Sequence, residues 1–495
     1  MRCFRVANGT RVGFNDTRRG RQRLGGSLAL PMAAAVASVF AMSAASAEDW
    51  PQFRGPNATG VSTQSKNLPV EFSHETKVRW KADLGEGIGC PVVAGGRVFA
   101  TAMVGPQKFA VFCFDAAGGK ELWRKEFETG PLPGIMPPNT QASSTPASDG
   151  ERVYVYFSTL GMMAFAAADG ELVWKQAVQM PFYLMGWGAA HSPIVHGDMV
   201  IFNQDDDLAP FLLALDKYTG NERWRTERPE MLAGYAIPVV CTAGGRTDVV
   251  VAGSGKLKGY DPADGKELWT CNTLLRTMMT SPAVVDDRIY VSVESYGDTD
   301  RVLKYALLEW KDTNQDGKLA KSELAAAFAE KFDKGDANKD GYLVGDEIDD
   351  AFQSATNRVG GGNIVQCIRG GGTGDVTATH VQWNIKNTAP SNIVSPLVTG
   401  GRLFLVKKGG ISASFNSADG KTVWEKKRIR NLGNYYASPI AGDRKIYVTG
   451  ENGFIVVLED SPELKVLAKN DMGEPCLATP AIADGRLFVR TLNKL

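Results

Sequence analysis

Histidine is scarce in this sequence: four residues among 495. No HExxH, no Ser-His-Asp set and no Cys-His set can be read from it, so the common signatures of zinc hydrolysis and nucleophilic catalysis are missing. Cysteine is sparse too, seven in all with no CxxC and no adjacent pair. That excludes a zinc ribbon or a dithiol redox motif. Cys90, Cys113, Cys241, Cys271, Cys367 and Cys476 are scattered through strand-like or pre-strand text, and core thiols and disulfides both remain open for them. A charge excess is also absent, with 55 basic and 55 acidic residues. Beyond the N-terminus no stretch is apolar enough to cross a membrane.

The first 47 residues read as an export signal. Seven arginines precede the apolar run "SLALPMAAAVASVFAM", and small residues in "SAASA" place a cut after Ala47. Removing that leader takes away seven Arg and one Asp, leaving 48 basic against 54 acidic residues. A net negative mature chain has no electrostatic case for nucleic acid. The expected location is periplasmic or secreted, with no stable membrane span after cleavage.

What the sequence has in abundance is one repeated unit. Its first half is Ser or Thr (or a substitute), Pro, a short apolar strand, a turn and an alternating strand. It begins at Pro91, Pro146, Pro193, Pro238, Pro282, Pro396, Pro439 and Pro480. Its second half is an apolar strand, Asp or an equivalent, a glycine turn and Trp. This closes at Trp123, Trp174, Trp224, Trp269 and Trp424, with shorter versions at Trp80 and Trp383. Each unit makes about four short strands joined by hairpin turns. Four-stranded units with two apolar faces bury both by stacking around a ring. The expected fold is therefore all-β, an eight-bladed β-propeller of four-stranded blades. Its opening element "KVRWKADL" supplies the tryptophan strand that the last unit lacks. Trp at a fixed place in each blade is expected to pack between neighbouring blades.

The Trp-terminated repeat resembles that of the quinoprotein-type, pyrroloquinoline quinone-like propellers. This set includes quinoprotein alcohol dehydrogenases and the barrel-assembly lipoprotein of the bacterial outer membrane. "DWPQFRGPNATGVS" from Asp49 is similar to the opening of exported propellers of this type. The dehydrogenase resemblance implies an adjacent-cysteine disulfide over the quinone, and this sequence has none. The lipoprotein resemblance implies a cysteine after the leader for lipid attachment, and none follows here.

One repeat is interrupted. Trp269 and Trp383 are 114 residues apart, far more than other neighbouring Trp elements. The excess carries "DTNQDGKLAKSE" from Asp312 and "DANKDGYLVGDE" from Asp336, flanked by helical spacing in "DTDRVLKYALLEW", "SELAAAFAEKF" and "GDEIDDAFQSA". Calcium needs six to eight hard oxygens around a tight turn, and both loops place them in the order of an EF-hand. Asp312, Asn314, Asp316, the carbonyl of Lys318 and Glu323 are the ligands expected in the first. Asp336, Asn338, Asp340, the carbonyl of Tyr342 and Glu347 are those of the second, with Leu319 expected to pair with the other loop. The organisation expected is a signal at 1–47, propeller at 48–299, the small helical EF-hand pair at 300–357 and propeller at 358–495.

Propeller topology places the insert on the same face as the loops that join one blade to the next. Residues just before the inner strands are the candidate pocket lining there: Gln141, His191, Tyr235, Met279, Asn392 and Tyr435, with Trp187 and Arg276 nearby. His191 is the one candidate general base among them. Two readings follow. The first is an exported, calcium-binding, non-enzymatic scaffold that binds a protein, peptide or glycan. The alternative is a calcium-dependent quinoprotein dehydrogenase oxidising alcohols or sugars, the only reading that needs pyrroloquinoline quinone.

Overall fold

The computed structural model describes residues 48–183, 186–231, 234–272, 279–295, 304, 307–308, 311–352, 362–386, 393–430 and 432–495. The proposed leader, Arg276, Asn392 and most of "DTDRVLKYALLEW" lie outside the described residues.

Alternation of apolar and polar residues makes successive antiparallel strands, each pairing with the next. The first sheet runs Val92–Ala94, Arg97–Gly105, Lys108–Asp115 and Glu121–Glu128 in that order. Six more four-stranded meanders follow, beginning at Ala147, Ile194, Val239, Ala283, Leu397 and Ile440. The one starting at Val239 gains a short parallel fifth strand, Gly374–Asp375. An eighth sheet holds the pair Ala481–Ala483 and Arg486–Phe488. The second and third strands are buried on both faces, while the outer ones alternate, as in Glu121–Glu128. Apolar side chains of one sheet therefore pack on the next, giving the stacked β-propeller core.

A belt of hydrogen bonds explains the Ser or Thr before each proline. Proline removes its own N–H, so the preceding residue supplies both the donor and the acceptor. Cys90 N–H donates to Thr145 Oγ1 at 3.0 Å, and Thr145 N–H to Ser192 Oγ at 2.9 Å. Ile237 N–H donates to Ser281 Oγ, Ser281 to Ser395, Ser395 to Ser438 and Ser438 to Thr479, all at 2.9–3.1 Å. Thr479 N–H then returns to Cys90 Sγ at 3.2 Å. The belt is interrupted at Ile237, where the repeat has no hydroxyl to accept from Ser192.

The tryptophans join the sheets further out. Indole N–H groups of Trp80, Trp123, Trp174, Trp224 and Trp383 donate to turn carbonyls of the following sheet at 2.9–3.2 Å. The rings lie so close over the turn that a Cβ at Gly170 would stand 2.6 Å from Trp123. With φ at +72° as well, glycine is the residue that fits there. Trp269 departs from this pattern: it donates to Asp248 of its own sheet at 2.8 Å and is almost fully buried. The turn that would receive it has been replaced by the longer Gly370–His380 segment.

Two closures involve the start of the described chain. Ala82 and Leu495 exchange backbone hydrogen bonds at 2.8 and 2.9 Å, and Trp80 packs against Phe488 with ring centroids 6.1 Å apart. The segment from Glu48 to Leu68 crosses the inner strands: Trp50 bonds with Val93, Asn57 with Val240 and Ser62 with Ala441. The six cysteines from Cys90 to Cys476 are free and buried, so the open alternative resolves to core thiols.

Candidate functional site

The strands Arg288–Ser295 and Gly362–Arg369 pair from Arg288↔Arg369 to Ser295↔Gly362. The insert leaves from the tip of this hairpin. In it, 3-10 turns at Lys321–Glu323 and Ala326–Phe328 precede the helix Ala329–Gly335, and the helix Asp346–Phe352 follows. The dozen residues between the acidic loops thus divide into one tight turn and one short helix, the other turn closing the first loop. Leu319 pairs with Leu343 and Ala320 with Tyr342, tying the two loops back to back.

The loops repeat each other in their backbone hydrogen bonds, the first adding one from the Thr313 hydroxyl to Glu323. Asp312 accepts from the N–H groups of Asp316 (3.1 Å) and Gly317 (2.8 Å); Asp336 accepts from Asp340 (3.1 Å) and Gly341 (3.0 Å). Asn314 and Asn338 accept from the same amides, Asp316 and Asp340, at 2.9 and 2.8 Å. Asp316 accepts from Lys318 and Asp340 from Tyr342, each at 2.9 Å. Glu323 spans Thr313 and Ala320, and Glu347 spans Ala337 and Val344. These amide contacts hold the Glu323 carboxyl below its usual range, led by the N–H of Ala320. Among the described residues no group of three or more His, Cys, Asp or Glu side chains is gathered closely enough to hold a metal ion.

The insert does not stand free. Its core of Leu307, Leu319, Leu324, Phe328, Phe332, Leu343, Ile348 and Phe352 is packed against Phe182 and Leu208. Phe182 lies in the loop joining the second and third sheets; Leu208 lies in a hairpin tip of the third. Both belong to the face expected from topology, and the insert therefore reaches across from the fifth sheet.

Of the residues expected to line a pocket on that face, Trp187, His191 and Tyr235 come together. The Tyr235 ring lies 6.3 Å from that of Trp187 and stacks on His191 at 5.7 Å. Tyr183, which the repeat pattern does not single out, completes the group by stacking on Tyr235 at 4.9 Å. Trp187 is half-buried, and its carbonyl accepts from Asn139, linking it to the loop that carries Gln141. Gln141 itself donates to Pro133 O at 2.6 Å. Met279 is half-buried at the foot of the fifth sheet. Tyr435 belongs elsewhere, buried with Val394 and Leu432.

His191 is fully buried, and both ring nitrogens are engaged. Nε2 lies 2.9 Å from Gly234 O and Nδ1 lies 3.0 Å from the Tyr183 hydroxyl. The arrangement is satisfied by the Nε2–H tautomer, with Tyr183 donating to Nδ1. In that tautomer the Asp205 N–H, 3.3 Å from Nε2, finds no lone pair there. Burial pushes the imidazole down to about 4, partly opposed by Asp205. It is a neutral, inward-facing ring that fixes the floor of the face.

Beneath it lies a polar network that sequence reasoning missed. Arg228 donates Nε and Nη2 to the two oxygens of Asp205 at 2.8 and 2.9 Å, both residues being at most 1% exposed. Arg228 also donates to the Tyr260 hydroxyl, and Asn203 to Asp205. Next to it, Asp206 accepts from Phe182, Leu208 and Ala209 N–H groups. Burial raises its carboxyl to about 6 in spite of those bonds. The available signal was "NQDDDLAP": three consecutive acids where most other repeats carry a short glycine-containing hairpin tip.

A second concavity, about 690 Å³, lies at the seam of the ring. Phe72, Trp80, Met472, Leu487 and Phe488 form its apolar walls, with Arg79 and Arg486 at the rim. It contains none of the expected pocket residues.

Stacked four-stranded sheets, a Trp-on-turn repeat and an axial belt define a β-propeller of PQQ-like repeats. The family described as outer membrane protein assembly factor BamB matches residues 107–322 and 358–459, more than half of the chain. The chain belongs to that family. The outer membrane protein assembly factor BamB of Shewanella oneidensis is 25% identical over 236 residues, covering 43% of this chain and 55% of that protein. This chain thus spans about half the length of the curated relative it matches. Among solved structures, BamB from Moraxella catarrhalis superposes with a TM-score of 0.51 at 14% identity, covering 84% of this chain and 94% of that one. A europium-containing methanol dehydrogenase superposes with a TM-score of 0.53 at 10% identity, covering 88% and 87%. At such identities these two structures speak for the fold alone. No described helix is long and apolar enough to cross a membrane.

Proposed function

We propose that this chain is an exported, eight-bladed, non-enzymatic scaffold that binds a protein or peptide through the face carrying Trp187 and Tyr235. The observation that carries this reading is the engagement of His191. The candidate base of that face is buried, neutral and committed to Tyr183 and Gly234, while half-buried aromatics remain at its edge. Aromatic side chains with polar tips suit the binding of polypeptide. Membership of a family described as an outer membrane assembly factor supports a protein partner and a periplasmic place of work. The dehydrogenase alternative has the likeness of fold.

The insert's loops are proposed to hold calcium. Their donors are hard oxygens from Asp312, Asn314, Asp316, the Lys318 carbonyl and Glu323, and from Asp336, Asn338, Asp340, the Tyr342 carbonyl and Glu347. Glycines at φ +78° and +85° make the tight turn each loop needs. The amides already aimed at these carboxylates hold the loops curled, and each carboxylate keeps lone pairs for an ion. Calcium would neutralise the acids and draw the loops together.

Both parts are tested on the mature protein. Fluorescence anisotropy with labelled peptides from outer-membrane barrel strands is expected to show binding, weakened about tenfold or more by Trp187→Ala. No peptide binding, together with one-to-one binding of pyrroloquinoline quinone and alcohol-dependent dye reduction, would sink the scaffold reading. Calorimetry with calcium is expected to show two sites, lost in an Asp312→Ala, Asp336→Ala variant.

A further inference from the structure

The insert and the loop carrying Tyr183 are separated in sequence by more than a hundred residues, yet an unbroken line of contacts joins them. Phe328, almost fully buried in the insert, meets Phe182 edge-to-face with ring centroids 5.1 Å apart and an interplanar angle of 87°. Phe352 backs Phe328 from the other side at 5.4 Å. Phe182 is fixed at both ends of its peptide unit, donating to Asp206 Oδ2 at 3.0 Å and accepting from Asp207 N–H at 2.9 Å. The next residue is Tyr183, whose hydroxyl holds His191 and whose ring stacks on Tyr235. Leu208, one residue beyond the acidic pair, packs on the same insert core. Lys331 of the insert is near enough to Asp206 and Asp207 for both carboxylates to pull its ammonium upward against the downward effect of its burial.

Within the propeller the joining loop is held by Val178, buried beside Trp174, by Gln204 donating to Gln179 O at 3.0 Å and by the two backbone hydrogen bonds of Phe182. Residues 177–183 form no strand or helix. Segments with few packed neighbours open at low free energy. Among these supports the Phe182 side chain is the exception, packed from outside the repeat against the insert core. We infer that the insert is the positioning element of the binding face: Phe328, by seating Phe182, sets Tyr183 and through it the stacked Tyr235–His191 floor. The insert therefore decides the shape presented to a partner without contacting the partner itself. This inference rests on the proposed binding face for its functional meaning, but its structural content stands without any partner.

The test uses the full mature protein and hydrogen exchange of the 177–192 and 234–238 amides. Phe328→Ala is expected to raise exchange in both segments about tenfold or more, while the amides of the first, sixth and seventh sheets keep their rates. Because Phe328→Ala also loosens the insert core, Phe182→Ala supplies the same break from the propeller side. Their combination is expected to do no more than either alone, as for two sides of one contact. Phe182→Tyr, which keeps the aromatic ring, is expected to keep slow exchange. In a peptide-binding assay the two alanine variants lose affinity with an unchanged melting temperature for the sheets. Unchanged exchange at 177–192 in Phe182→Ala and Phe328→Ala would overturn the inference. Failure of the unaltered protein to bind peptide would count against the proposed function alone, since the exchange result does not depend on it.

Discussion

Thr479 and Cys90, 389 residues apart in sequence, are joined by a hydrogen bond of 3.2 Å from the Thr479 N–H to the Cys90 sulfur. Cys90 in turn donates its own N–H to Thr145. The thiol thus stands where every other repeat but that of Ile237 has Ser or Thr, and completes the belt between the last sheet and the first. Cys90→Ala leaves the buried Thr479 amide without an acceptor and is expected to lower unfolding stability by about 1–3 kcal/mol. Cys90→Ser, restoring a stronger acceptor, is expected to recover most of it. Urea melts of the three proteins check this.

All six described cysteines are buried and free. Burial pushes the thiols of Cys113, Cys241 and Cys476 up to about 12, far from the thiolate that reacts. The folded mature protein is expected to give no rapid reaction with a thiol reagent at pH 8 and six equivalents in denaturant. A fast-reacting equivalent in the folded state would contradict the burial.

The Asp205–Arg228 pair makes a different demand. With both charges out of water, removing one leaves the other unpaired, a loss of roughly 3–5 kcal/mol. Arg228→Met is expected to fall in that range by urea unfolding. The variant with both Arg228→Met and Asp205→Leu is expected to be the more stable of the two. A surface pair such as Lys334–Glu330 should show no comparable effect on deletion.

The repeats were readable because their cause is local. A strand alternates every second residue, a turn needs its glycine, and proline forces the preceding residue to supply the belt. The ten tryptophans of the sequence include five whose indole N–H bonds a turn of the following sheet from the repeated position. Trp269 does not, because the turn meant to receive it lies 100 residues further on and has been lengthened. In the insert, the pairing of Leu319 with Leu343 and the tight turns at Gly317 and Gly341 were legible too. The aromatic floor was only half legible. His191 and Tyr235 stand at predictable places before inner strands, but Tyr183, Asp205 and Arg228 belong to three separate loops around the third sheet that meet only in three dimensions. Whether a histidine is a base or a buried strut is decided by those neighbours, so its role could not be read from spacing.

Calcium, if held as proposed, binds the folded insert and not the unfolded chain. At a hundred times its dissociation constant one site contributes about 2.7 kcal/mol of stability. Adding calcium to chelator-treated protein is therefore expected to raise the melting temperature and slow exchange in Leu319–Leu343. Glu323→Gln is expected to remove one of two calorimetric sites. No shift in the unaltered protein would refute calcium binding while leaving the Phe182–Phe328 contact in place.

His191 and Asp206 pull the pH dependence in opposite directions. The imidazole is lowered from 6.5 to about 4. Its stabilising contribution is present above pH 6.5 and is lost as pH falls through 4, because the unfolded chain takes up the proton first. The Asp206 carboxyl is raised from 3.8 to about 6. Its contribution is present below pH 3.8 and is lost as pH rises through 6, because the folded state holds the proton longer. Each shift corresponds to about 3 kcal/mol at most, over nearly the same interval. The two groups are therefore expected to cancel, leaving their joint effect on stability close to flat from pH 4 to pH 6.5. Asp206→Asn removes one side: compared with the unaltered protein, its stability is expected to fall more steeply with acid, by up to about 3 kcal/mol across that interval. His191→Gln removes the other, and its stability is expected to fall instead as pH rises from 4 to 6. Chemical denaturation at half-unit steps of pH separates the two slopes, and variants with the same slope as the unaltered protein would show that neither group is held as the burial implies.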